Sequence, residues 1–163
     1  MADGTYGLRF TEVMAGYMAP APDFPSGYRL GRARGTAVRF QATISIADLD
    51  RFLQEPEHEA PMTALVDYAG LGSNLPARDG RFNLFCRRDG HKRILYHLPF
   101  DCGDQRYILF GQKFIGDRPG LNVWRDMTTL HTELRARQEN GEPGGAPLAR
   151  GILTITLPAV IRQ

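Results

Sequence analysis

Four side chains of this sequence can move protons and have apolar neighbours in the chain: Glu12, Tyr96, His97 and Lys113. A carboxyl group in an apolar pocket has a raised pKa and can serve as a general acid or base. Tyrosine and histidine donate hydrogen bonds or transfer a proton, and a lysine ammonium polarises a carbonyl or stabilises an enolate. These residue types predict proton-transfer chemistry without a bound cofactor.

Each of these residues also has a purely structural interpretation. Tyr96 can be a core tyrosine with a hydrogen-bond partner, and His97 a half-exposed histidine. Lys113, one of two lysines among 20 basic residues, can form an ion pair with Asp117 or Asp126. The carboxylate is by default placed at the surface or in a salt bridge. Both interpretations stay open at the level of sequence.

Apolar and aromatic side chains would form the walls of a binding pocket. The candidates are Phe40, Phe82, Leu95, Tyr107 and Trp124. The sequence contains no nucleophile elbow, zinc-protease, P-loop or dinucleotide motif. The histidines lack ligand spacing, and His58 and His91 are expected to be solvated. Cys86 and Cys102 do not form a CxxC pair. We therefore expect no metal, no cofactor and two reduced thiols.

Composition indicates a soluble globular domain. The chain has 163 residues and a net charge of +2, and its arginines are scattered among acids. No basic stripe with interleaved aromatics occurs, so nucleic acid is not an expected partner. No apolar run approaches the roughly 20 residues of a membrane span, and the first residues lack a signal-peptide pattern. We expect a cytoplasmic location.

Strand patterns must position these side chains. The segment 38–46 alternates strictly between apolar and polar residues, and Leu49, Phe52 and Leu53 then share one face of a short helix. Segments 81–88 and 92–100 form a hairpin across the turn 89–90, and 105–115 follows the turn 101–104. Further strands are expected over 7–18, 63–69, 127–135 and 150–157. Residues 19–35, rich in proline and glycine, are predicted to form a loop.

Eight strands joined by short turns favour an antiparallel meander. Residues 1–163 are expected to form a single all-β domain, an eight-stranded up-and-down barrel of the calycin or lipocalin type with one short helix. A two-sheet sandwich is the alternative. In the predicted strands, Ile94, Tyr96, Leu98 and Phe100 share one face, whereas Leu95 and His97 share the other. Tyr107, Leu109, Gly111 and Lys113 share a face of the next strand.

Six stretches of the chain resemble an accessory β domain fused to some cholesterol-oxidase-like members of the glucose-methanol-choline oxidoreductases. They are Phe10–Tyr17, Ile46–Leu53, Phe82–Phe85, Leu95–Phe100, Gly111–Ile115 and Trp124–Leu130. The resemblance spans most of the chain but carries no catalytic residues. It implies an association with steroid-like or lipid-like molecules. Because the flavin-binding half is missing here, it does not imply that family's oxidation.

Three functional hypotheses follow. The first is a barrel that encloses a polyketide-, terpenoid- or steroid-like molecule and promotes its cofactor-free cyclisation or isomerisation, as in a biosynthetic enzyme. The second is a non-catalytic carrier of such a ligand. The third is an accessory domain that docks on an oxidoreductase; a homodimer is a further expectation. The first two require an interior with room for a hydrophobic guest.

Overall fold

The strands of this protein close into an eight-stranded antiparallel barrel in the order β1 to β8. The computed structural model describes residues 4–116 and 121–159, with the side chains of 121–124 and 157–159 excepted. The strands are β1 (Leu8–Ala19), β2 (Ala37–Ile46), β3 (Glu59–Tyr68), β4 (Gly72–Arg88), β5 (His91–Cys102), β6 (Gln105–Phe114), β7 (Thr129–Arg137) and β8 (Pro143–Ala159). The helices in this part of the chain are α1 (Phe24–Arg34), α2 (Leu49–Gln54) and α3 (Leu121–Thr128).

Each strand pairs with its neighbours in sequence, and β1 also pairs with β8, from Thr11 opposite Ala159 to Ala19 opposite Arg150. The predicted barrel and meander are confirmed, and the sandwich alternative is not observed. The predicted β4–β5 hairpin turns at Asp89 and Gly90, which have φ values of 51° and 77°. Both residue types tolerate this left-handed conformation, which a two-residue hairpin turn requires.

Alternation along the strands places one apolar face inside the barrel. On β2 the buried residues are Val38, Phe40, Ala42, Ile44 and Ile46, as the sequence pattern predicts. A row of small side chains crosses the barrel wall beside Glu12, because Glu12 lies opposite Ala42, Ala42 opposite Ala64, and Ala64 opposite Ala77. These alanines leave interior volume for long side chains from the facing strands.

The helices lie at the two ends of the barrel. We call the end where β1 begins the α2 end, because α2 connects β2 to β3 there. Helix α3 connects β6 to β7 at the same end, and α1 connects β1 to β2 at the opposite end. Asp48 begins α2 by accepting a hydrogen bond from the backbone N–H of Arg51 at 3.0 Å, as expected for a helix that starts here.

The prediction of a loop over residues 19–35 is wrong, since this segment contains α1. Asp23 caps the helix by accepting from the Ser26 backbone N–H at 2.8 Å, and that bond lowers the pKa of the Asp23 carboxyl. Gly27 faces the barrel: a Cβ built there would lie 1.9 Å from the carbonyl oxygen of Arg150. The glycines that suggested a loop therefore allow close packing of a helix. Likewise, residues 121–128, expected to lead into a strand, form α3.

Candidate functional site

Glu12, Tyr96 and Lys113 meet inside the barrel. The ammonium Nζ of Lys113 donates to the Tyr96 hydroxyl at 2.9 Å, and the Tyr96 hydroxyl donates to Oε2 of Glu12. Nζ of Lys113 lies 3.7 Å from the same Oε2, which makes an ion pair. We call this group the Glu12–Tyr96–Lys113 cluster. Three of the four proton-transfer residues predicted from sequence are thus brought together by three different strands.

The elements explain how these side chains reach one point. Lys113 is the penultimate residue of β6, and Glu12 lies near the start of β1, so both enter from the α2 end. Tyr96 lies opposite Gly111 of β6, and Gly111 has no side chain that would occupy space beside the tyrosine. The Leu130 side chain occupies the space that a Cβ at Gly111 would need, at 2.6 Å. Tyr96 is thereby fixed among apolar groups.

Burial differs across the cluster, and the difference defines its accessible member. The side chain of Lys113 is 2% exposed and that of Glu12 17% exposed, whereas Tyr96 is 1% exposed overall. Both described contacts of Glu12 use Oε2. Among the described residues, no hydrogen bond or ion pair forms at Oε1. Glu12 is therefore the member of the cluster whose side chain is open to a ligand.

The electrostatics follow from this burial. Desolvation lowers the pKa of the Lys113 ammonium, and the neighbouring carboxylate of Glu12 opposes that change. Desolvation and the same carboxylate raise the pKa of the Tyr96 phenol well above its usual value of 10.0, so Tyr96 stays protonated and donates. A charged pair in an apolar interior is costly unless it is paired and hydrogen-bonded, as it is here. Such perturbed groups concentrate at functional sites.

Aromatic rings surround the cluster on the barrel interior. The ring of Tyr96 lies 5.2 Å from that of Phe82 and 6.0 Å from that of Phe40. Phe10 packs edge-to-face on Phe82 at 5.9 Å and is partly exposed. Nζ of Lys113 lies 5.0 Å from the centre of the Tyr96 ring. Phe40 and Phe82, predicted as walls of a binding pocket, lie in the barrel interior next to the cluster.

The remaining predicted site residues lie elsewhere. Leu95 and His97 are on the outer face of β5, opposite Gln112 and Phe110, because successive strand residues point to opposite faces. His97 is therefore not an interior anchor, and burial lowers the pKa of its ring. Tyr107 points inward but stacks on Phe100 at 5.6 Å, roughly 20 Å along β6 from Lys113. The side chain of Trp124 lies outside the described residues.

The predicted alternative partners of Lys113 are not the ones observed. Asp126 accepts a hydrogen bond from the backbone N–H of Gly116 at 3.0 Å, and Lys113 instead pairs with Glu12. Asp117 lies outside the described residues. The structural interpretation was thus right in kind, an ion pair, but it missed the partner because the partner is about 100 residues away in sequence.

The centre of the barrel is filled by its own side chains. Water-sized space beside a residue would appear as exposed area, and Met14, Phe40, Met62, Leu98 and Leu130 are each 1% exposed or less. The apolar side chains with partial exposure include several at the α2 end: Phe10, Leu49, Ile115, Met127 and Ile155. The central interior space that the first two hypotheses require is therefore not observed among the described residues, and the partly exposed apolar side chains lie with Glu12 at the α2 end.

His58 was expected to be solvated, but it is half-buried between α2 and β4. Its Nδ1 lies 2.7 Å from the carbonyl oxygen of Leu84 and its Nε2 3.2 Å from that of Leu53. Nothing in the sequence signals this contact, because it depends on left-handed backbone at His58 and Phe85. Cys86 and Cys102 are free thiols, as predicted.

The chain was compared with protein-family models, curated proteins and solved structures. No family model, curated protein or solved structure matches the chain. Within the described residues, no helix has the length and apolarity needed to cross a membrane. The same residues hold no group of three metal-ligating side chains. The class of protein is therefore described by its structure: an antiparallel β-barrel with a hydrogen-bonded ionic cluster in its interior.

Proposed function

We propose that this barrel binds an apolar small molecule at the α2 end and uses Glu12 to isomerise or cyclise it without a cofactor. The observation that carries the proposal is the carboxylate of Glu12, held through Oε2 by two buried partners while the Glu12 side chain stays 17% exposed. A base held in one orientation beside an apolar surface is what proton transfer on a hydrophobic substrate requires.

The chemistry follows from which atoms can touch a substrate. Oε1 of Glu12 removes a proton from a carbon next to a carbonyl, and the resulting enolate takes the same proton back at another carbon. Atoms and charge balance with no external oxidant or reductant. Tyr96 and Lys113 are too buried to contact the substrate. They are positioning residues that hold the carboxylate and offset its charge.

Apolar contacts at the same end would hold the substrate. Phe10 lies two residues before Glu12 on the same face of β1, and both are partly exposed. Leu49 of α2 and Met127 of α3 pack on the core from opposite sides of this end. A polyketide-, terpenoid- or steroid-like molecule fits such a surface. Burial of its apolar area supplies binding free energy of about 25 cal/mol for each Å².

Binding is tested first by native mass spectrometry of the freshly purified protein. We expect a retained apolar molecule that dissociates on denaturation. Turnover is then measured with a β,γ-unsaturated steroid ketone, whose conversion into the conjugated enone is followed by ultraviolet absorbance. E12Q should lower the rate by at least about a hundredfold, since general-base catalysis contributes roughly 10²–10⁴.

Lys92→Met is the matched control, because Lys92 is the other lysine of the chain and is exposed. It should leave the rate unchanged. A rate that is equal in the wild type, E12Q and Lys92→Met would remove the catalytic assignment. A retained ligand with no turnover would leave the carrier function. Absence of both would refute the proposal, and the accessory-domain hypothesis would then be the one to pursue.

A further inference from the structure

The imidazole of His58 joins α2 to β4 through both of its nitrogens. Nδ1 faces the carbonyl oxygen of Leu84 at 2.7 Å and Nε2 that of Leu53 at 3.2 Å. A neutral imidazole carries one N–H, so its other nitrogen would point a lone pair at a carbonyl oxygen. The imidazolium form donates at both positions. We infer that His58 is a proton-dependent latch that holds α2 over the α2 end of the barrel.

The backbone on both sides of the ring fixes its position. The carbonyl of Leu53 belongs to the last turn of α2, where carbonyls have no partner within the helix. The chain is also held from the β4 side, since the backbone N–H of Leu84 donates to the His58 carbonyl at 3.1 Å. His58 and Phe85 have φ values of 41° and 49°, a left-handed conformation that costs such residues free energy and that their contacts here maintain.

Nearby charged side chains have other partners. Glu55 pairs with Arg51 of α2 at 3.1 Å, and Glu57 pairs with Arg88 of β4 at 2.9 Å. Glu59, the first residue of β3, is exposed. In the described part of the chain, no carboxylate forms an ion pair with His58. The hydrogen bonds that depend on the protonation state of His58 are therefore those to the two carbonyl oxygens.

Helix α2 is positioned to act as a lid. Its Phe52 is 5% exposed and belongs to the core cluster, and its ring lies 5.8 Å from that of His58. At the start of the helix, the backbone N–H of Leu49 donates to the carbonyl of Tyr6 at 2.9 Å. Loss of the His58 proton removes one of the two bonds by which the ring joins the end of α2 to β4. That this movement regulates access to Glu12 rests on the proposed function.

The test is a pH titration of the isotope-labelled protein by nuclear magnetic resonance, with no substrate present. At the low-pH end, ¹⁵N shifts should show protons on both ring nitrogens of His58. When the ring loses a proton, hydrogen-exchange protection of the Phe52, Leu53 and Gln54 amides should fall roughly fivefold to tenfold. The midpoints of the two changes should coincide. H58Q should lose the pH step, and H91Q, which alters an exposed histidine at the start of β5, should keep it.

A His58 ring with a single N–H while the α2 amides stay protected would overturn the latch. Protection that does not change through the titration would do the same, and both measurements need only the wild-type protein. These results are separable from the proposed function. If E12Q abolishes turnover but protection of the α2 amides does not change when His58 loses its proton, only the latch is refuted. If that protection changes but E12Q is fully active, only the proposed function is refuted.

Discussion

Removing the carboxylate of Glu12 alone should lower the free energy of unfolding more than removing both charges of the Glu12–Lys113 ion pair. In E12Q the ammonium of Lys113, 2% exposed, keeps its hydrogen bond to Tyr96 but loses the opposite charge. Breaking a fully buried pair costs roughly 3–5 kcal/mol. Glu12 is 17% exposed, and glutamine still accepts from Tyr96, so we expect about 2 kcal/mol here.

The partner variant and the double variant give the prediction its sharpness. K113M leaves a partly exposed carboxylate that keeps its Tyr96 bond, so it should cost only about 1 kcal/mol. The double variant E12Q/K113M removes the unpaired ammonium and should also cost about 1 kcal/mol, well below the sum of the single changes. Urea unfolding followed by circular dichroism measures all three free energies. Additive single-variant effects would refute the coupling of the cluster.

The pH dependence provides an independent reading. The pKa of Lys113 in the folded protein lies below its usual 10.5 because of desolvation, and E12Q removes the carboxylate that opposes this shift. Between the folded and unfolded pKa values the unfolded state binds more protons, so stability rises with pH in that window. The window extends to lower pH in E12Q. Its deficit in unfolding free energy relative to the wild type should therefore shrink as the pH rises from neutrality towards 10.5, the usual pKa of a lysine. A constant deficit would mean that Lys113 stays charged.

Three further outcomes are expected. Y96F removes a hydroxyl that accepts from the buried ammonium, so it should lower the unfolding free energy in urea by about 1–3 kcal/mol. Y107F, whose hydroxyl has no described partner, should be near neutral in the same measurement. G27A places a Cβ 1.9 Å from a backbone carbonyl oxygen of β8, so α1 should detach; limited proteolysis should cut within α1 in this variant and spare the wild type. The thiol of Cys86 is buried and its pKa is raised by burial, so iodoacetamide should modify the more accessible Cys102 first, as seen by peptide mass spectrometry.

Whether a side chain points into or out of the barrel was predictable from sequence where a strand kept a strict period of two. Tyr96 and Lys113 share their faces with Leu98 and Leu109, and the structure places all four inside. The meeting with Glu12 was not predictable, because contacts across a barrel depend on strand tilt and stagger, which alternation does not encode. The sequence could name the members of the cluster but not its bonds.

Helices were harder to predict than strands for a physical reason. In α1 the glycines provide close approach to β8, but glycine also signals loops, so composition alone favoured the wrong structure. The latch histidine had no signal either, since its partners are backbone carbonyls that any sequence supplies. Local pattern thus determines the wall of this barrel, while tertiary packing determines what closes its ends.

The pairing of β1 with β8 has a consequence for how the chain folds. Every other ladder joins strands that follow one another, whereas this one joins residues as far apart as Thr11 and Ala159. The entropic cost of closing this loop is the largest of all the strand pairings, so we expect the β1–β8 pairing to form late in folding. Until it forms, two unpaired edges are exposed at once, and a second copy can add to either of them. Aggregation during synthesis or refolding should therefore begin at β1 and β8.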